Sequence, residues 1–454
     1  MQYDVAVIGA GPGGYLAAQR AGEAGLRTVV FEKENIGGVC LNEGCIPSKS
    51  FLNSAKLYDH AMNSEVFGVT AENVRIDQAA VLKRKNRVVK LLVSGVQSQL
   101  KAANVEIVKA EARFAGRDGN GYTIVAGGET YTATRVILAT GSEPVLPPIP
   151  GVKEGLEAGY VLTNRGILDL EEIPGRLTIV GGGVIGLEMA SYYRTCGSEV
   201  TVIEMLGHIA GAVDTDIGKA LQSDYEKKGI KFILNSPVTK IEKGVVHYGG
   251  ENPGQVETDL ILMSIGRRPV SRGLGLEELG VYMERGRVVT DRHCQTNLPG
   301  LYAVGDVNGV WLLAHVAYRE AEVAVNHIVG RPDNVMRYQG VPSVIYTSPE
   351  VGFAGLTEKD AAEKGFDYKV INLPLNFSGR YMAENNRGQG FIKLIMDNKT
   401  TRMLGCHMFG NPASELILVA SIFIDAEFTI EQMLAFIYPH PTVGEIIKEA
   451  LAKF

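Results

Sequence analysis

Two stretches of this 454-residue chain decide its fold, because the second repeats the plan of the first: VAVIGAGPGGYLAAQRAGEAGLRTVVFEK (Val5–Lys33) and LTIVGGGVIGLEMASYYRTCGSEVTVIEM (Leu177–Met205). In each, an apolar strand runs into G-x-G-x-x-G, a helix with small residues follows, and a second apolar strand ends in an acid. The glycines and acids are Gly9, Gly11, Gly14 and Glu32 in the first copy, and Gly181, Gly183, Gly186 and Glu204 in the second. Each acid lies 18 residues after the third glycine of its copy.

The spacing of these glycines and acids has a physical explanation. One G-x-G-x-x-G is weak evidence, but here it stands twice between a strand and a helix, with the acid at a matched distance. The first glycine permits a tight turn, the second lets the backbone approach a pyrophosphate, and the third lets helix and strand pack closely. The pyrophosphate meets the positive end of the helix, and the acid accepts hydrogen bonds from ribose hydroxyls. The sequence therefore predicts an α/β protein with two Rossmann-like dinucleotide-binding domains.

The second dinucleotide is predicted to be NAD. The carboxylate of Glu204 would repel a 2′-phosphate, and the residues after it, MLGHIAGA, bring no arginine cluster. Further ligand contacts are expected where later strands end, because ligands bind at the carboxyl edge of open α/β sheets. The candidates there are Thr140 and Gly141 in ATGSEP, Gly266 in SIGRRP, and Asp306 in YAVGDV, where Asp306 would reach a polyol chain.

Near residue 338 the sequence changes to a pattern of strands and helices without a glycine fingerprint. Segments such as VPSVIYTSPEVGFAGL and GFIKLIMD predict strands, and PASELILVASIFIDAE and VGEIIKEALAKF predict helices. An α+β segment of this kind commonly packs against a twin subunit. We therefore expect a dinucleotide-binding domain at 1–145, a second at 146–266, a central segment of the first at 267–337, and a C-terminal α+β dimerisation domain at 338–454.

Composition excludes several classes of function. The net charge of -6 argues against a nucleic-acid partner, and no apolar run is long enough to cross a membrane. Five cysteines do not make a secreted disulfide framework, so the expected compartment is reducing. The chain opens directly into a strand. We therefore expect a cytoplasmic protein, or one of the mitochondrial matrix if a transit peptide has been removed.

Two cysteines lie close together in GGVCLNEGCIPSKS. The C-x4-C spacing of Cys40 and Cys45 has no second Cys or His pair around it, so no metal site is expected. In a regular α-helix their Cα atoms would lie about 8–9 Å apart, beyond the roughly 7 Å that a disulfide tolerates. A bridge therefore needs an irregular helix start, which Gly44 and Pro47 favour. A buried structural thiol pair remains the alternative to a redox pair.

The stretch GGVCLNEGCIPSK resembles the redox-active signature of the flavoprotein disulfide reductases. Within that superfamily, the form GCIPSK is most similar to that of the dihydrolipoamide dehydrogenases. The resemblance extends over essentially the whole chain and also includes ATGSEP, GGGVIGLE, IGRRP, YAVGDV, LLAH and HPTVGE. It implies that the first fingerprint binds FAD and the second binds NAD.

The resemblance also assigns roles around the flavin. Cys45 would be the charge-transfer thiolate and Cys40 the interchange thiol that exchanges with substrate. Lys49 and Glu188 match the family's ion pair at the flavin ring. Asp306 would bind the ribityl or pyrophosphate region of FAD, and Ala314-His315 would touch the flavin edge through the backbone.

The base would come from YPHPTVGE near the C-terminus. His440 matches the family's catalytic histidine and Glu445 the carboxylate that orients it, reaching across a twofold interface to the other subunit. Thr442-x-x-Glu445 is also a capping-box pattern for the last helix, so Glu445 could serve both purposes. Tyr438 departs from the family, which typically has histidine there, and this puts the shape of the lipoyl channel in question.

The activity implied is oxidation of a protein-bound dihydrolipoyl group with reduction of NAD⁺, by a homodimer. The lipoyl carrier would belong to a 2-oxo acid dehydrogenase complex or a glycine cleavage system. Glutathione reductases usually take NADPH, which Glu204 opposes, and mercuric reductases need a C-terminal cysteine pair, which is missing after Cys406. A flavin-binding redox sensor without catalytic activity is a rival from another class, opposed by the complete set of Cys40, Cys45, His440 and Glu445.

Overall fold

The computed structural model describes residues 2–119, 121–386 and 388–454, which divide into two compact units. The first unit contains the chain up to Ser50, Leu82–Val145 and Gly266–Met336. The second contains Phe51–Val81, Leu146–Ile265 and Arg337–Phe454. The predicted limits of the four domain segments stay a prediction.

Helices and strands are both present from the first residues described to the C-terminus. The strands are β1 Gln2–Ile8, β2 Thr28–Phe31, β3 Glu106–Val108, β4 Ala112–Asp118, β5 Gly121–Ala126, β6 Glu129–Leu138, β7 Ser142–Pro144, β8 Val161–Leu162, β9 Arg176–Val180, β10 Glu199–Ile203, β11 Lys231–Ile233, β12 Val238–Glu242, β13 Val245–Tyr248, β14 Gly254–Glu257, β15 Leu260–Met263, β16 Arg267–Pro269, β17 Met283–Glu284, β18 Arg287–Val288, β19 Leu301–Ala303, β20 Pro342–Ile345, β21 Val351–Gly355, β22 Tyr368–Pro374, β23 Phe391–Asp397 and β24 Met403–Phe409. The helices are α1 Pro12–Glu23, α2 Gly38–Glu43, α3 Cys45–Met62, α4 Gln78–Ala102, α5 Val152–Ala158, α6 Asn164–Ile167, α7 Val184–Thr195, α8 Thr215–Lys227, α9 Ala314–Ile328, α10 Glu358–Glu363, α11 Gly379–Glu384, α12 Ala413–Asp425, α13 Ile430–Leu434 and α14 Glu445–Leu451.

The first unit is built on a seven-stranded sheet in the order β3-β2-β1-β6-β5-β4, with β19 also paired to β6. Strands β3, β2, β1, β6 and β19 run parallel, and β6-β5-β4 form an antiparallel meander. The last four residues of β1 are all buried, as expected for a strand covered on both faces. In register, Val7 lies beside Val30 on one side and Ile137 on the other.

Small residues on α1 bring this helix close to its neighbours. Ala17, Ala18 and Ala21 are fully buried. A Cβ on Gly22 would lie 2.2 Å from the backbone oxygen of Ala103. The helix that follows the first fingerprint is therefore held tightly against the rest of the first unit.

The second unit repeats this plan. Its parallel sheet has the order β11-β10-β9-β15-β8, with β9 flanked by β10 and β15 as β1 is flanked by β2 and β6. The antiparallel meander β12-β13-β14 precedes β15. The prediction of two dinucleotide-binding folds is confirmed by this topology.

The C-terminal part of the second unit is a five-stranded antiparallel sheet in the order β20-β21-β24-β23-β22, with α12 packed on it. The buried face of α12 carries Ile417 and Phe423, which belong to the core formed with β23 and β24. Its other face leaves Leu418 and Ile422 exposed at 56% and 50%. This segment is the predicted α+β domain.

A buried lysine joins three elements of the second unit. Lys393 on β23 donates to Asp214 at 2.9 Å, to Asp216 at 2.7 Å and to Glu358 at 2.7 Å. Asp214 caps the N-terminus of α8, and Glu358 opens α10. Lys393 and Asp214 are both almost fully buried, so this pair is out of contact with water.

Candidate active site

Cys40 and Cys45 lie on either side of a break between two helices. Cys40 is in α2, which ends at Glu43, and Cys45 is the first residue of α3. Gly44 between them has φ -145° and ψ -111°, far from helical values. The predicted irregular helix start is confirmed. Pro47 falls in the first turn of α3, where its missing N–H has no helical partner to lose.

The two cysteines are held as thiols that interact with each other. The hydrogen bond with Cys45 raises the pKa of the Cys40 thiol, and burial raises it further. The charge of Lys49 acts in the opposite direction. A sulfur pair in this contact fits a redox centre better than a pair of inert core thiols, because Cys45 is exposed.

The first turn of α3 also places Lys49. The hydroxyl of Ser48 donates to the backbone oxygen of Cys45 at 3.1 Å, and Lys49 Nζ lies 3.4 Å from that hydroxyl. Glu188, the predicted partner of Lys49, lies on α7 in the other compact unit. There it is 4% exposed, and its Oε1 accepts from the backbone N–H of Tyr346 at 3.1 Å.

The two glycine fingerprints form matching cradles. Gly9 and Gly181 have φ of +98° and +106°. A Cβ on Gly14 would lie 1.9 Å from the oxygen of Gly9, and one on Gly186 would lie 2.4 Å from the oxygen of Gly181. Each turn therefore packs directly onto the helix that follows it, as a pyrophosphate-binding turn requires.

The starts of α1 and α7 leave room for a phosphate. Gly11 and Gly183 are the N-cap residues, and no side chain of the described residues caps either helix. Within the described chain, no atom lies within 4 Å of the position that a Cβ on Gly183 would take. Backbone N–H groups at an uncapped helix start suit a pyrophosphate, so both cradles fit dinucleotides.

The acids that end the second strands make equivalent hydrogen bonds. Glu32 accepts from the N–H groups of Ala10 at 2.8 Å and Glu34 at 2.7 Å. Glu204 accepts from Gly182 at 2.6 Å and Leu206 at 2.7 Å. Each carboxylate thus fixes its own glycine turn.

Asp306 lies at the end of β19 among polar groups of the first unit. Ser142 donates its hydroxyl to Asp306, and Arg267 donates to the same serine through Nε at 2.8 Å and Nη2 at 2.7 Å. Burial raises the pKa of Asp306, while Ser142 and Arg267 oppose that rise. The neighbouring Thr140 donates to the oxygen of Val270 at 2.6 Å, and Gly141 has φ +72°. Ser142 and Arg267 are site residues that the sequence analysis did not name.

A pair of tyrosines near the cysteines was also missed. Ala314 begins α9, and Tyr318 one turn later forms a hydrogen bond with Tyr15 of α1, their ring centroids 5.9 Å apart. Burial raises the pKa of both phenols, and the nearby Cys40 and Cys45 add to that rise. The sequence offered one indication of this tyrosine pair, since Tyr15 directly follows Gly14 of the first fingerprint.

His440 and Glu445 form a hydrogen-bonded pair in the second unit. Nδ1 of His440 lies 2.9 Å from Oε1 of Glu445, and Oε2 accepts from the N–H of Thr442 at 2.9 Å. These two interactions, the one with Thr442 first, lower the pKa of the Glu445 carboxyl group. The imidazole is 81% exposed, so its Nε2 edge is open to a partner molecule.

The capping-box prediction for Glu445 is only half correct. Its carboxylate does accept from Thr442. The threonine hydroxyl, however, donates to the oxygen of Pro439 at 2.9 Å, and Gly444 is the N-cap residue of α14. The hydroxyl is therefore used to shape the turn that carries His440.

Tyr438, the departure from the family pattern, is partly buried and held by a hydrogen bond. Its hydroxyl donates to the oxygen of Met433 at 3.3 Å, and its ring packs against the core beneath α14. Nζ of Lys448 lies 5.5 Å from the centre of that ring. The tyrosine is thus part of the support for His440.

Among the described residues, no helix is both long and apolar enough to cross a membrane.

Comparison with known proteins gives two matches to family models. Residues 3–321 match pyridine nucleotide-disulphide oxidoreductase, and residues 341–451 match the dimerisation domain of the same group. Together the two matches extend over nearly the whole chain, and the second coincides with the C-terminal antiparallel sheet and its helices.

Similar proteins carry consistent names. A dihydrolipoyl dehydrogenase of Mycoplasma pneumoniae is 38% identical, with 100% of this chain and 98% of the relative covered. A dihydrolipoyl dehydrogenase of Geobacillus stearothermophilus is 37% identical, with 99% and 96% covered. Among solved structures, LpdA from Mycobacterium tuberculosis superposes with a TM-score of 0.90 at 26% identity, covering 100% of this chain and 99% of the other. The flavoprotein disulfide reductase RclA from Escherichia coli superposes at 0.86 and 28% identity, covering 99% of each chain.

Proposed function

Because the chain belongs to the pyridine nucleotide-disulphide oxidoreductase family, we propose that it is a dihydrolipoyl dehydrogenase that oxidises dihydrolipoyl groups and reduces NAD⁺. The observation that carries the proposal is the contact between Cys40 and Cys45 across the break at Gly44. A thiol pair placed this way can open and close as a disulfide without unfolding a regular helix.

FAD is assigned to the first fingerprint and NAD to the second. The FAD-binding residues proposed are Gly9, Gly11, Gly14, Glu32, Lys49, Thr140, Gly141, Asp306 and Ala314, and those for NAD are Gly181, Gly183, Gly186, Glu204 and Gly266. FAD, when bound, supplies the two-electron link between the cysteine pair and NAD⁺. The protein supplies binding and orientation, with Glu188 proposed as the partner of Lys49 at the flavin ring.

His440 is proposed to start the reaction by taking a proton from a substrate thiol. Glu445 holds Nδ1 of the imidazole, which leaves Nε2 as the proton acceptor. The substrate thiolate attacks Sγ of Cys40, a mixed disulfide forms, and the Cys40–Cys45 bond breaks with Cys45 leaving as a thiolate.

The second substrate thiol then completes the exchange. Its sulfur attacks the substrate sulfur of the mixed disulfide, its proton passes to the departing Sγ of Cys40, and the product is the cyclic lipoyl disulfide. Two electrons have passed from the substrate to the cysteine pair. With both dinucleotides bound, reduction of NAD⁺ would take up these two electrons, and the Cys40–Cys45 disulfide would form again.

The partners proposed are a second copy of this chain and a lipoyl-bearing protein of a 2-oxo acid dehydrogenase complex or a glycine cleavage system. The dimerisation-domain match supports the pairing of two chains. The exposed apolar residues of the C-terminal part, among them Leu418, Ile422 and Ile437, give such a pairing a surface to bury. A reducing compartment such as the cytoplasm suits a chain whose five cysteines are thiols in the structure.

A two-by-two assay tests the proposal. NADH and NADPH are each compared with lipoamide and with glutathione disulfide as oxidant. We expect turnover with NADH and lipoamide to exceed the other three combinations, because Glu204 disfavours a 2′-phosphate. Preference for NADPH with glutathione disulfide would instead identify a glutathione reductase, and no turnover by flavin-loaded protein would favour a redox sensor.

A further inference from the structure

The first unit contains a cavity of about 640 Å³ that the proposed reaction does not use. This volume lies within the roughly 300–1,000 Å³ typical of small-molecule sites. Its lining residues are Arg267, Pro269, Glu284, Arg285, Arg287, Gly309 and Leu312. Three arginines and one glutamate thus line the cavity, in a chain whose net charge is -6. The cavity is a local concentration of positive charge in an acidic protein.

Arg285 is held at the cavity by an unfavourable backbone conformation. It is the first residue of the two-residue loop between β17 and β18, with φ +51°, and Gly286 follows with φ +83°. Hairpin loops with two positive φ values prefer Asn, Asp or Gly, since a side chain there costs about 1 kcal/mol. Strain of this kind at a non-glycine residue points to a functional requirement for its side chain.

A buried serine fixes the hairpin loop. Ser271, which is 2% exposed, donates its hydroxyl to the oxygen of Gly286 at 2.6 Å. The backbone of the loop that carries Arg285 is therefore held in a fixed conformation by a buried side chain.

Arg287 lies against a glycine that leaves space for it. A Cβ on Gly309 would come within 2.8 Å of Cβ and 3.1 Å of Cδ of Arg287. The guanidinium group is oriented by Glu284, which accepts from Nη2 at 2.6 Å. The stem of this arginine thus forms a wall of the cavity.

Arg267 connects the cavity with the proposed flavin site. Its hydrogen bonds to Ser142, the residue that donates to Asp306, leave it between the two sites. The strained hairpin arginine and Arg287 belong to the cavity alone, since none of the residues proposed to bind FAD lies on the β17–β18 hairpin. The cavity therefore adjoins the flavin site without being needed to explain it.

We propose that this cavity binds a small polyphosphate-bearing anion, of the size of a nucleoside triphosphate, while FAD occupies its own site. Arginine side chains suit the several oxygens of a phosphate chain, because one guanidinium group can donate two parallel hydrogen bonds to a pair of phosphate oxygens. Only Ser142 would separate Arg267, on the cavity wall, from Asp306. Binding of an anion would therefore change the hydrogen bonds beside the proposed flavin site.

Titration calorimetry with flavin-saturated protein tests the site, using tripolyphosphate, ATP and adenosine as probes. Saturating NAD⁺ fills the second fingerprint during the titration. We expect one tripolyphosphate or ATP per chain, weaker binding as sodium chloride rises, and no binding of adenosine. Arg285→Asn, which keeps a residue suited to positive φ, should weaken binding about tenfold, the loss typical of one charged hydrogen bond. Arg285→Lys, which keeps the charge but not the paired donors, should bind more tightly than Arg285→Asn and less tightly than the unchanged protein.

The matched control is Arg272→Asn, an exposed arginine that does not line the cavity. It should bind tripolyphosphate as the unchanged protein does. The proposal fails if flavin-saturated protein binds neither phosphate probe, or if Arg285→Asn and Arg272→Asn bind equally. Binding seen only after FAD removal would assign the arginines to the flavin site and also overturn it. Flavin content and lipoamide turnover, measured on the same samples, report separately on the proposed function.

Discussion

At the scale of single residues, Glu445 divides its two carboxylate oxygens between two tasks. One oxygen accepts from the N–H of Thr442 and fixes the turn, and the other holds Nδ1 of His440. Because both contacts lower the pKa of the carboxyl group, Glu445 stays ionised near neutral pH. An ionised acceptor keeps the proton of the imidazole on Nδ1, which leaves Nε2 free to take one from a thiol.

His440→Gln should separate the two half-reactions. Glutamine keeps a polar side chain of similar reach but accepts no proton, so oxidation of dihydrolipoamide should fall by about 10²–10⁴-fold. Reduction of the bound flavin by NADH involves no substrate thiol and should be nearly unchanged. Stopped-flow absorbance at the flavin bands measures both rates.

Tyr438→His is the matched comparison for that experiment. The Tyr438 ring packs on the core and supports the turn that carries His440, but it takes no proton from the substrate. This variant should leave both half-reactions within a few-fold of the unchanged protein. Equal loss of both half-reactions in His440→Gln would show that the histidine is structural.

At the scale of elements, the same turn is built twice, once for each proposed dinucleotide. In both fingerprints the third glycine touches the oxygen of the first, and an acid at the next strand holds the turn by its N–H groups. The helix cannot move away from the turn without breaking these contacts. Each proposed dinucleotide site is therefore preformed, and a single added methyl group would disrupt it.

Gly14→Ala and Gly186→Ala should have different consequences. The new Cβ would lie 1.9 Å from the oxygen of Gly9 in the first case and 2.4 Å from that of Gly181 in the second. We expect Gly14→Ala to be purified without flavin, as measured by the visible absorbance per chain. Gly186→Ala should keep its flavin but show a KM for NADH raised at least about tenfold, since one misplaced helix start loses charged hydrogen bonds. Loss of flavin from both variants in equal measure would contradict the assignment of one cofactor to each turn.

The ion cluster around Lys393 connects β23 to the starts of α8 and α10. Burial raises the pKa of Asp214, but hydrogen bonds from Lys393 and the N–H of Glu358 outweigh this effect and leave the pKa lowered. A lowered carboxyl pKa contributes stability above the unfolded pKa of about 4 and loses it as pH falls through the folded value. The cluster thus favours the folded state at neutral pH and weakens in acid.

Lys393→Met should lower the free energy of unfolding by about 3 kcal/mol at pH 7, because it leaves Asp214 buried without its cation. The difference from the unchanged protein should shrink as pH falls toward 4, where the isolated carboxylate takes up a proton. Urea denaturation followed by fluorescence at both pH values measures this. Lys359→Met, at a lysine 79% exposed, is the control and should change stability little at either pH. A constant difference across that pH range would exclude Asp214 as the cause.

At the scale of the whole molecule, local patterns predicted what local chemistry determines. Gly9 and Gly181 require a positive φ, and Gly14 and Gly186 stand where no Cβ fits, so the two nucleotide folds could be predicted from the spacing of these glycines. Gly44 likewise predicted the break in the helix between Cys40 and Cys45. The ion cluster was not readable, because Lys393 stands in an apolar strand and its partner Asp214 is 179 positions away. The arginine cavity was missed for the same reason: Arg267 and Arg285 meet only after folding.

Complementation between inactive variants tests whether one active site uses two chains. Cys40→Ser and His440→Gln should each fail to oxidise dihydrolipoamide. Co-expressed with different tags, they should give mixed dimers in which one site combines an intact cysteine pair with an intact histidine from the partner. We expect such dimers, isolated through both tags, to recover up to about half of the activity, as one of two sites is complete. No recovery would place His440 in the same chain as the cysteines that it serves.

The exposure of His440 has a consequence for the protein at low abundance. In the proposed dimer the imidazole serves the sulfur pair of the other chain, so an isolated chain would lack a complete site. Below the dimer dissociation constant, the proposed activity would therefore rise with the square of the protein concentration. A newly synthesised, unpaired chain would be unable to oxidise passing thiols, so assembly itself would switch the catalyst on.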